Sequence, residues 1–161
     1  MANDILMKYG TSLNLAITLS ALPTSTTGVG RKAVFVSNIS RGYSQILLYV
    51  RLKQGTSPTG GKTGKVRLFR ADTRGAIGAA STFRTDNAGA SNVVVTMLNA
   101  PLIGILANKA APATGDIIAK SFIIENPGAY WSVGIEHNTG VNLGVGASQY
   151  VRWAGVKPQV Q

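Results

Sequence analysis

Apolar and polar positions alternate along most of this chain with the two-residue period of strands, interrupted by clusters of Gly, Ser, Thr and Asn. Residues 45–53 form the densest apolar run: Ile46, Leu47, Leu48, Tyr49, Val50 and Leu52, with Arg51 and Lys53 at its far end. This run reads as the central strand of a core, with Ile46, Leu48, Val50 and Leu52 anchoring one sheet while Arg51 and Lys53 project from the other face. Ahead of it, Leu13, Leu15, Ile17 and Leu19 alternate with Asn14, Ala16, Thr18 and Ser20, which predicts a half-buried first strand. Residues 32–38 carry Ala33, Val34, Phe35 and Val36 and are apolar on both faces, as an interior strand is. The turn through Arg41 and Gly42 predicts that they pair antiparallel with residues 45–53.

The same reading gives strands at residues 66–69, 92–97, 102–106, 117–124, 130–137 and 150–156. Within 130–137, Trp131, Val133 and Ile135 share one face, and the adjacent Glu136 and His137 point to opposite faces. Residues 55–65, rich in Gly, read as an exposed hairpin loop, and residues 71–91 as a long connection between sheets. Helix periodicity is weak everywhere; only residues 107–113 have room for a turn or two. About eight strands with Gly-rich turns predict an all-β fold, a jelly-roll-like β-sandwich, with a small β-barrel as the alternative. A length of 161 residues suits one domain. Its expected limits are 12–157, with residues 1–11 an arm that orders on a neighbour and 158–161 a short tail.

Composition narrows the chemistry. Charged residues are scarce at 14 % and Gly numbers 19, which favours strands and turns over surface helices. There is no Cys, so no disulfide, thiolate metal site or cysteine nucleophile exists. The first ten residues make a poor secretory signal, and no apolar run approaches the ~18 residues of a membrane span, so a membrane partner is not expected. Acid–base catalysis would have to rest on six carboxylates and one His, with His137 needing a distant partner such as Asp116 or Glu125. No small-molecule substrate, cofactor or metal is expected, and the protein reads as no enzyme. Gly61, Lys62 and Thr63 match the end of a phosphate-binding loop, but Thr56 stands where the first glycine belongs and a strand follows instead of a helix.

Charge changes the picture more. The net charge is +10, and residues 31–84 hold eleven Lys or Arg against Asp72 alone, whereas the rest of the chain balances. Arg51, Lys53, Lys62, Lys65, Arg67, Arg70 and Arg74 are the candidate partner-binding set, a basic face for an acidic protein surface or a polyanion. Phe35, Tyr43, Tyr49, Phe69 and Phe83 are interleaved with these cations, a mixture that can stack bases, although Phe35 and Tyr49 read more simply as core. Nucleic acid is therefore the less favoured partner. Trp131 and Trp153 read as core anchors, with a carbohydrate platform as the rival reading.

Several stretches carry a family likeness. These are the opening strand through Leu19, residues 28–31, the Gln-Ile-Leu-Leu-Tyr-Val-Arg-Leu-Lys-Gln-Gly-Thr-Ser-Pro-Thr-Gly run from Gln45, Leu102 to Gly104, the strand and turn from Tyr130 to Gly140, and the closing Tyr-Val-Arg-Trp-Ala-Gly-Val from Tyr150. Together they resemble small virion proteins of tailed bacteriophages. The resemblance implies a jelly-roll-like structural protein, a capsid decoration or cement protein that binds the major capsid protein. It also implies a place in the virion, assembled in the host cytoplasm, with a tail-associated role as the alternative. A homo-oligomer such as a trimer would match capsid symmetry axes.

Overall fold

The computed structural model describes residues 5–71, 93–97 and 100–160. Eleven strands are present among them: β1 (Ile5–Tyr9), β2 (Leu13–Asn14), β3 (Val29–Lys32), β4 (Val36–Ser37), β5 (Gln45–Lys53), β6 (Thr63–Ala71), β7 (Val93–Thr96), β8 (Leu102–Ala107), β9 (Ile117–Glu125), β10 (Tyr130–His137) and β11 (Tyr150–Val160). They build two antiparallel sheets. Sheet A has the order β1-β11-β5-β9, with β2 also on β11; sheet B has the order β7-β3-β10-β6-β8, with β4 also on β10.

The register explains the short pieces. Tyr9 faces Val156 and Leu13 faces Trp153, so four steps along the chain match three on β11, and β1 and β2 are one strand broken by a single extra residue. The same holds on β10, where Lys32 faces Gly134 and Val36 faces Trp131; β3 and β4 are likewise one interrupted strand. With these pairs merged and β7 set aside as an added edge strand, eight strands remain, in the orders 1-8-3-6 and 2-7-4-5. That is the connectivity of a jelly roll. Both sheets are open at their edges, so the barrel alternative falls.

The core lies between the sheets. Ile46, Leu48, Val50 and Leu52 of β5 point in, all at most 1 % exposed, and meet Trp131, Val133 and Ile135 of β10. Trp131 and Trp153 come from opposite sheets and touch edge to face at 5.2 Å. Such a contact adds about 0.5–1.5 kcal/mol beyond the area it buries. At Gly155, opposite Gly10 just after β1, a Cβ would strike the Tyr43 ring at 2.2 Å, so glycine there lets the ring lie across the strand pair.

Several expectations are corrected. The regular alternation at residues 13–19 forms a ladder only at Leu13–Asn14; Leu15 and Leu19 are buried, but after the Leu15 N–H donates to the Val151 carbonyl the chain leaves β11, and the Ala16 carbonyl accepts from the Val34 N–H. Residues 32–38 and 45–53 do not pair. The first set lies on β10 in sheet B, and β5 lies between β11 and β9 in sheet A. Residues 55–62 likewise join strands of different sheets and are no hairpin loop. A jelly roll sends consecutive strands to opposite layers, so short connections here cross the sandwich. The stretch 107–113 holds no helix. Residues 5–9, expected as part of an arm, pair with residues 156–160, which include most of the expected tail. The connection read at 71–91 falls, beyond Ala71, outside the described residues.

Candidate functional site

Opposed residues in an antiparallel pair share a face, so the register assigns every side chain of sheet A. Tyr49 faces Arg152, and Arg51 faces Tyr150. The two strands carry the same tripeptide, Tyr-Val-Arg, at 49–51 and 150–152, and they run antiparallel with Val50 opposite Val151. Both valines are fully buried in the core. The two tyrosines and two arginines must then point outward, each Tyr opposite the other strand's Arg.

The resulting quartet is tightly made. The tyrosine rings lie 6.0 Å apart at a tilt of 45°. The Arg152 guanidinium sits 4.8 Å from the Tyr150 ring centroid and that of Arg51 5.7 Å from it. Cation–π contacts of this kind contribute about 0.5–1 kcal/mol at exposed sites. Arg152 also donates to the Asn14 side-chain oxygen at 3.1 Å. Lys53 continues the same face beyond Arg51, and Leu47 with Ile123 opposite it forms an apolar patch on the other side of Tyr49. Among the described residues no carboxylate pairs with Arg51, Lys53 or Arg152. The Arg51 Nε is buried without a hydrogen-bond partner there. Tyr49 is 36 % exposed and Ile123 58 % exposed. The core reading of Tyr49 is thus corrected: with Leu48 and Val50 facing in, it faces out.

Of the seven cations read from the sequence, the six that are described do not form one face. Arg51 and Lys53 stand on the outer face of sheet A. Lys62 is exposed in the loop before β6. Lys65 and Arg67 lie on the outer face of sheet B, where Glu136 of β10 neutralises them: Arg67 is 3.0 Å and Lys65 3.5 Å from Glu136 Oε1. Arg67 also donates to the Ala100 carbonyl at 2.8 Å. Arg70 lies at the seam between the sheets and donates to the Glu125 carbonyl at 3.0 Å. Arg74 and Phe83 fall outside the described residues. Arg152 and Tyr150 were missed because they lie in the charge-balanced part of the chain; the repeated Tyr-Val-Arg is the signal that marks them.

The outer face of sheet B is covered around Gly134, while the Lys65 side chain and Ile105 opposite it stay exposed. A second apolar cluster of Phe35, Phe69, Ala71, Val95, Met97 and Ala100 forms the cover, with Tyr130 packed alongside. Gly134 makes this possible, since a Cβ there would lie 2.6 Å from both the Met97 sulfur and the Phe69 ring. Lys32 is fully buried on the same face, its ammonium 4.7 Å from the Phe35 ring centroid.

Nothing gathers around the one histidine that would do acid–base chemistry. His137 is buried; its Nε2–H donates to the Leu22 carbonyl at 2.9 Å, and its Nδ1 lies 3.0 Å from the Thr139 hydroxyl. Burial pushes its pKa below the ordinary 6.5, the bond to Leu22 opposing this in part. It fastens the end of β10 to the segment before β3. Asp116 is engaged elsewhere, with Lys109 at 2.8 Å and the Ala113 amide; the Lys109 bond is the first cause holding its carboxyl below the usual range. The two tryptophans are 0 % and 4 % exposed, which removes the carbohydrate platform. Among the described residues no three His, Asp or Glu side chains gather as metal ligands.

No protein-family model matches the chain, and no curated protein does. Among solved structures it is similar to the EclA C-terminal domain, a sugar-binding protein, at 8 % identity and a TM-score of 0.29 over 99 % of this chain and 79 % of that one. It is similar to CorA, a surface-associated copper-binding protein of Methylomicrobium album BG8, at 9 % identity and 0.31 over 92 % of each chain. It is also similar to a chain of turnip yellow mosaic virus, at 10 % identity and 0.26 over 99 % and 98 %. Scores below 0.5 establish no common fold, so the jelly-roll assignment stands on the strand order alone.

Proposed function

We propose that this chain is a non-enzymatic structural protein of a tailed-phage virion, a decoration or cement protein that binds the major capsid protein and stabilises the shell. The observation that carries the reading is the outer face of sheet A, uncovered among the described residues, where the Tyr49, Arg51, Tyr150 and Arg152 quartet stands between Lys53 and the apolar Leu47 and Ile123. Interface centres are enriched in Tyr and Arg around apolar contacts. The cations here lack acidic partners among the described residues, which fits a carboxylate-bearing protein surface. A rigid two-layer scaffold presents that face without loss of order on binding. The family likeness of the sequence supplies the particle.

The test is co-sedimentation with assembled capsids of the parent phage, followed by heating of the decorated shells. Wild type is expected to bind and to raise the temperature at which shells open. Arg51→Glu with Lys53→Glu is expected to fold and to bind at least about tenfold more weakly, a loss of about 1.4 kcal/mol. Failure of wild type to bind any particle of its own phage overturns the reading. Cryo-electron microscopy of the virion separates a shell position from a tail position.

The quartet also favours a second reading, a platform for single-stranded nucleic acid, because exposed tyrosines between arginines can stack bases while neutralising phosphates. It predicts a mobility shift that weakens steeply with salt and disappears in Tyr49→Ala with Arg152→Glu. The apolar patch at Leu47 and Ile123 has no use in that reading, which places it second.

A further inference from the structure

β11 outlasts its neighbour β5. Its last residue opposite β5 is Val156, which faces Gln45, while β1 follows it to Val160. Residues 5–8 and 157–160 therefore form a two-stranded ribbon beyond the end of the sheet, ~14 Å long at about 3.4 Å per residue. Leu6, Met7, Lys8, Lys157, Pro158 and Gln159 are all exposed. A lone two-stranded ribbon is marginal in water, so a further strand would stabilise it.

Its two edges differ. The Gly10 N–H donates to the Gly155 carbonyl, and the Ser44 N–H donates to the Val156 carbonyl. Along β11, odd-numbered residues thus turn their backbone groups to β1 and even-numbered ones to the β5 side. Pro158 is even-numbered and has no N–H, so it blunts the edge that β5 has left. On β1, by the same alternation, Leu6 and Lys8 bond to β11, whereas Ile5, Met7 and Tyr9 turn their backbone N–H and C=O outward. None of the three is proline. One edge of the ribbon is closed and the other is a template.

We propose that this open edge pairs with the β1 edge of a second copy of the chain, antiparallel and centred on Met7. In that register residue 7 lies opposite itself and residue 5 opposite residue 9, so all three outward-bonding positions fall in hydrogen-bonded pairs. Lys8 falls opposite Leu6, which keeps the two Lys8 ammonium groups apart; a parallel pairing in register would set them side by side. The contact is self-complementary about a two-fold axis and joins two copies of sheet A into one continuous sheet. It gives a dimer in place of the expected trimer, and it is independent of what the outer face binds.

The chain has no Cys, so one introduced thiol reports the contact. In the hydrogen-bonded pair the two Cβ atoms at position 7 stand about 5.5 Å apart, wider than the ~3.5–4.5 Å of a disulfide, so a short bis-maleimide and not oxidation joins the two thiols. Met7→Cys is expected to convert to a covalent dimer with a short bis-maleimide, and Tyr9→Cys, whose counterpart lies far along the strand, to give little. Sedimentation of the native protein is expected to show a concentration-dependent dimer. Met7→Pro should weaken it at least tenfold with the melting temperature nearly unchanged, because the Met7 N–H takes no part in the β1–β11 ladder. A native protein that stays monomeric, an oligomer that survives Met7→Pro, or absence of the Met7→Cys crosslink overturns the proposal. A monomer whose Met7→Pro variant loses capsid binding also overturns it, and assigns the edge to the shell protein instead.

Discussion

The outer faces of the two sheets are made from similar residues and end in opposite states. On sheet B, Phe69, Lys65 and Arg67 alternate with core residues of β6; Phe69 is fully buried under Met97, and Glu136 holds both cations. On sheet A, Tyr49, Arg51 and Lys53 alternate with core residues of β5, and among the described residues no apolar cluster lies over them and no acid answers them. An aromatic beside a cation at alternate positions thus does not reveal whether a face is closed. What decides is residues from elsewhere in the chain, here Val95, Met97 and Ala100, which pack over Phe69, with the Ala100 and Pro101 carbonyls accepting from Arg67 and the Leu68 N–H.

The largest expected difference lies between equivalent aromatic truncations. Phe69→Ala should destabilise the fold by about 3–5 kcal/mol in urea unfolding, and Tyr49→Ala by less, about 1–2 kcal/mol, since Tyr49 stays 36 % exposed. Equal costs would erase the contrast between the faces. Next comes the charge of each face. Glu136→Gln should cost about 2–3 kcal/mol, because it strips the buried partner from Arg67. Arg51→Glu with Lys53→Glu should change stability by no more than about 0.5 kcal/mol per site while weakening capsid binding.

A smaller effect concerns the seam. His137 is neutral in the fold because burial lowers its pKa, whereas in the unfolded chain it takes a proton near 6.5. Its contribution is fully present above pH 6.5 and is lost as the pH falls from there toward the folded value, with a slope of at most about 1.4 kcal/mol per pH unit. Melting temperatures between pH 8 and 5 should show this decline, and His137→Gln, though less stable throughout, should flatten it. Arg152→Glu, which loses the Asn14 bond and the Tyr150 contact, should cost about 0.5–1 kcal/mol, with a loss of capsid binding comparable to that of the Arg51 and Lys53 pair if the quartet acts as a unit.

Much of the fold was legible before the tertiary structure. The limits of β5 and β10 coincide with the runs 45–53 and 130–137, and β9 and β11 begin where their patterns begin. In these strands one face meets a continuous core, so composition alternates with period two. Residues 13–19 show the limit of that signal, because alternation reports which way side chains point and is silent on whether a neighbour strand bonds to the backbone. The candidate site was legible in part. Arg51 and Lys53 were assigned to the outer face of β5, but Tyr49 was assigned to the core against the parity of its own neighbours, and the second Tyr-Val-Arg went unused.

By itself, then, the amino-acid order determined the strand positions, the all-β class, the buried face of each long strand and the lack of thiol chemistry, since all of these depend on local period and composition. Only the tertiary structure decided which strands are neighbours, that the described basic residues are shared out over two faces and a seam, and that among the described residues an apolar cluster covers part of sheet B and none covers sheet A. Those outcomes depend on contacts between residues far apart in the chain. β11 brings Tyr150 and Arg152 beside Tyr49 and Arg51 across about a hundred residues, and no local pattern records that distance.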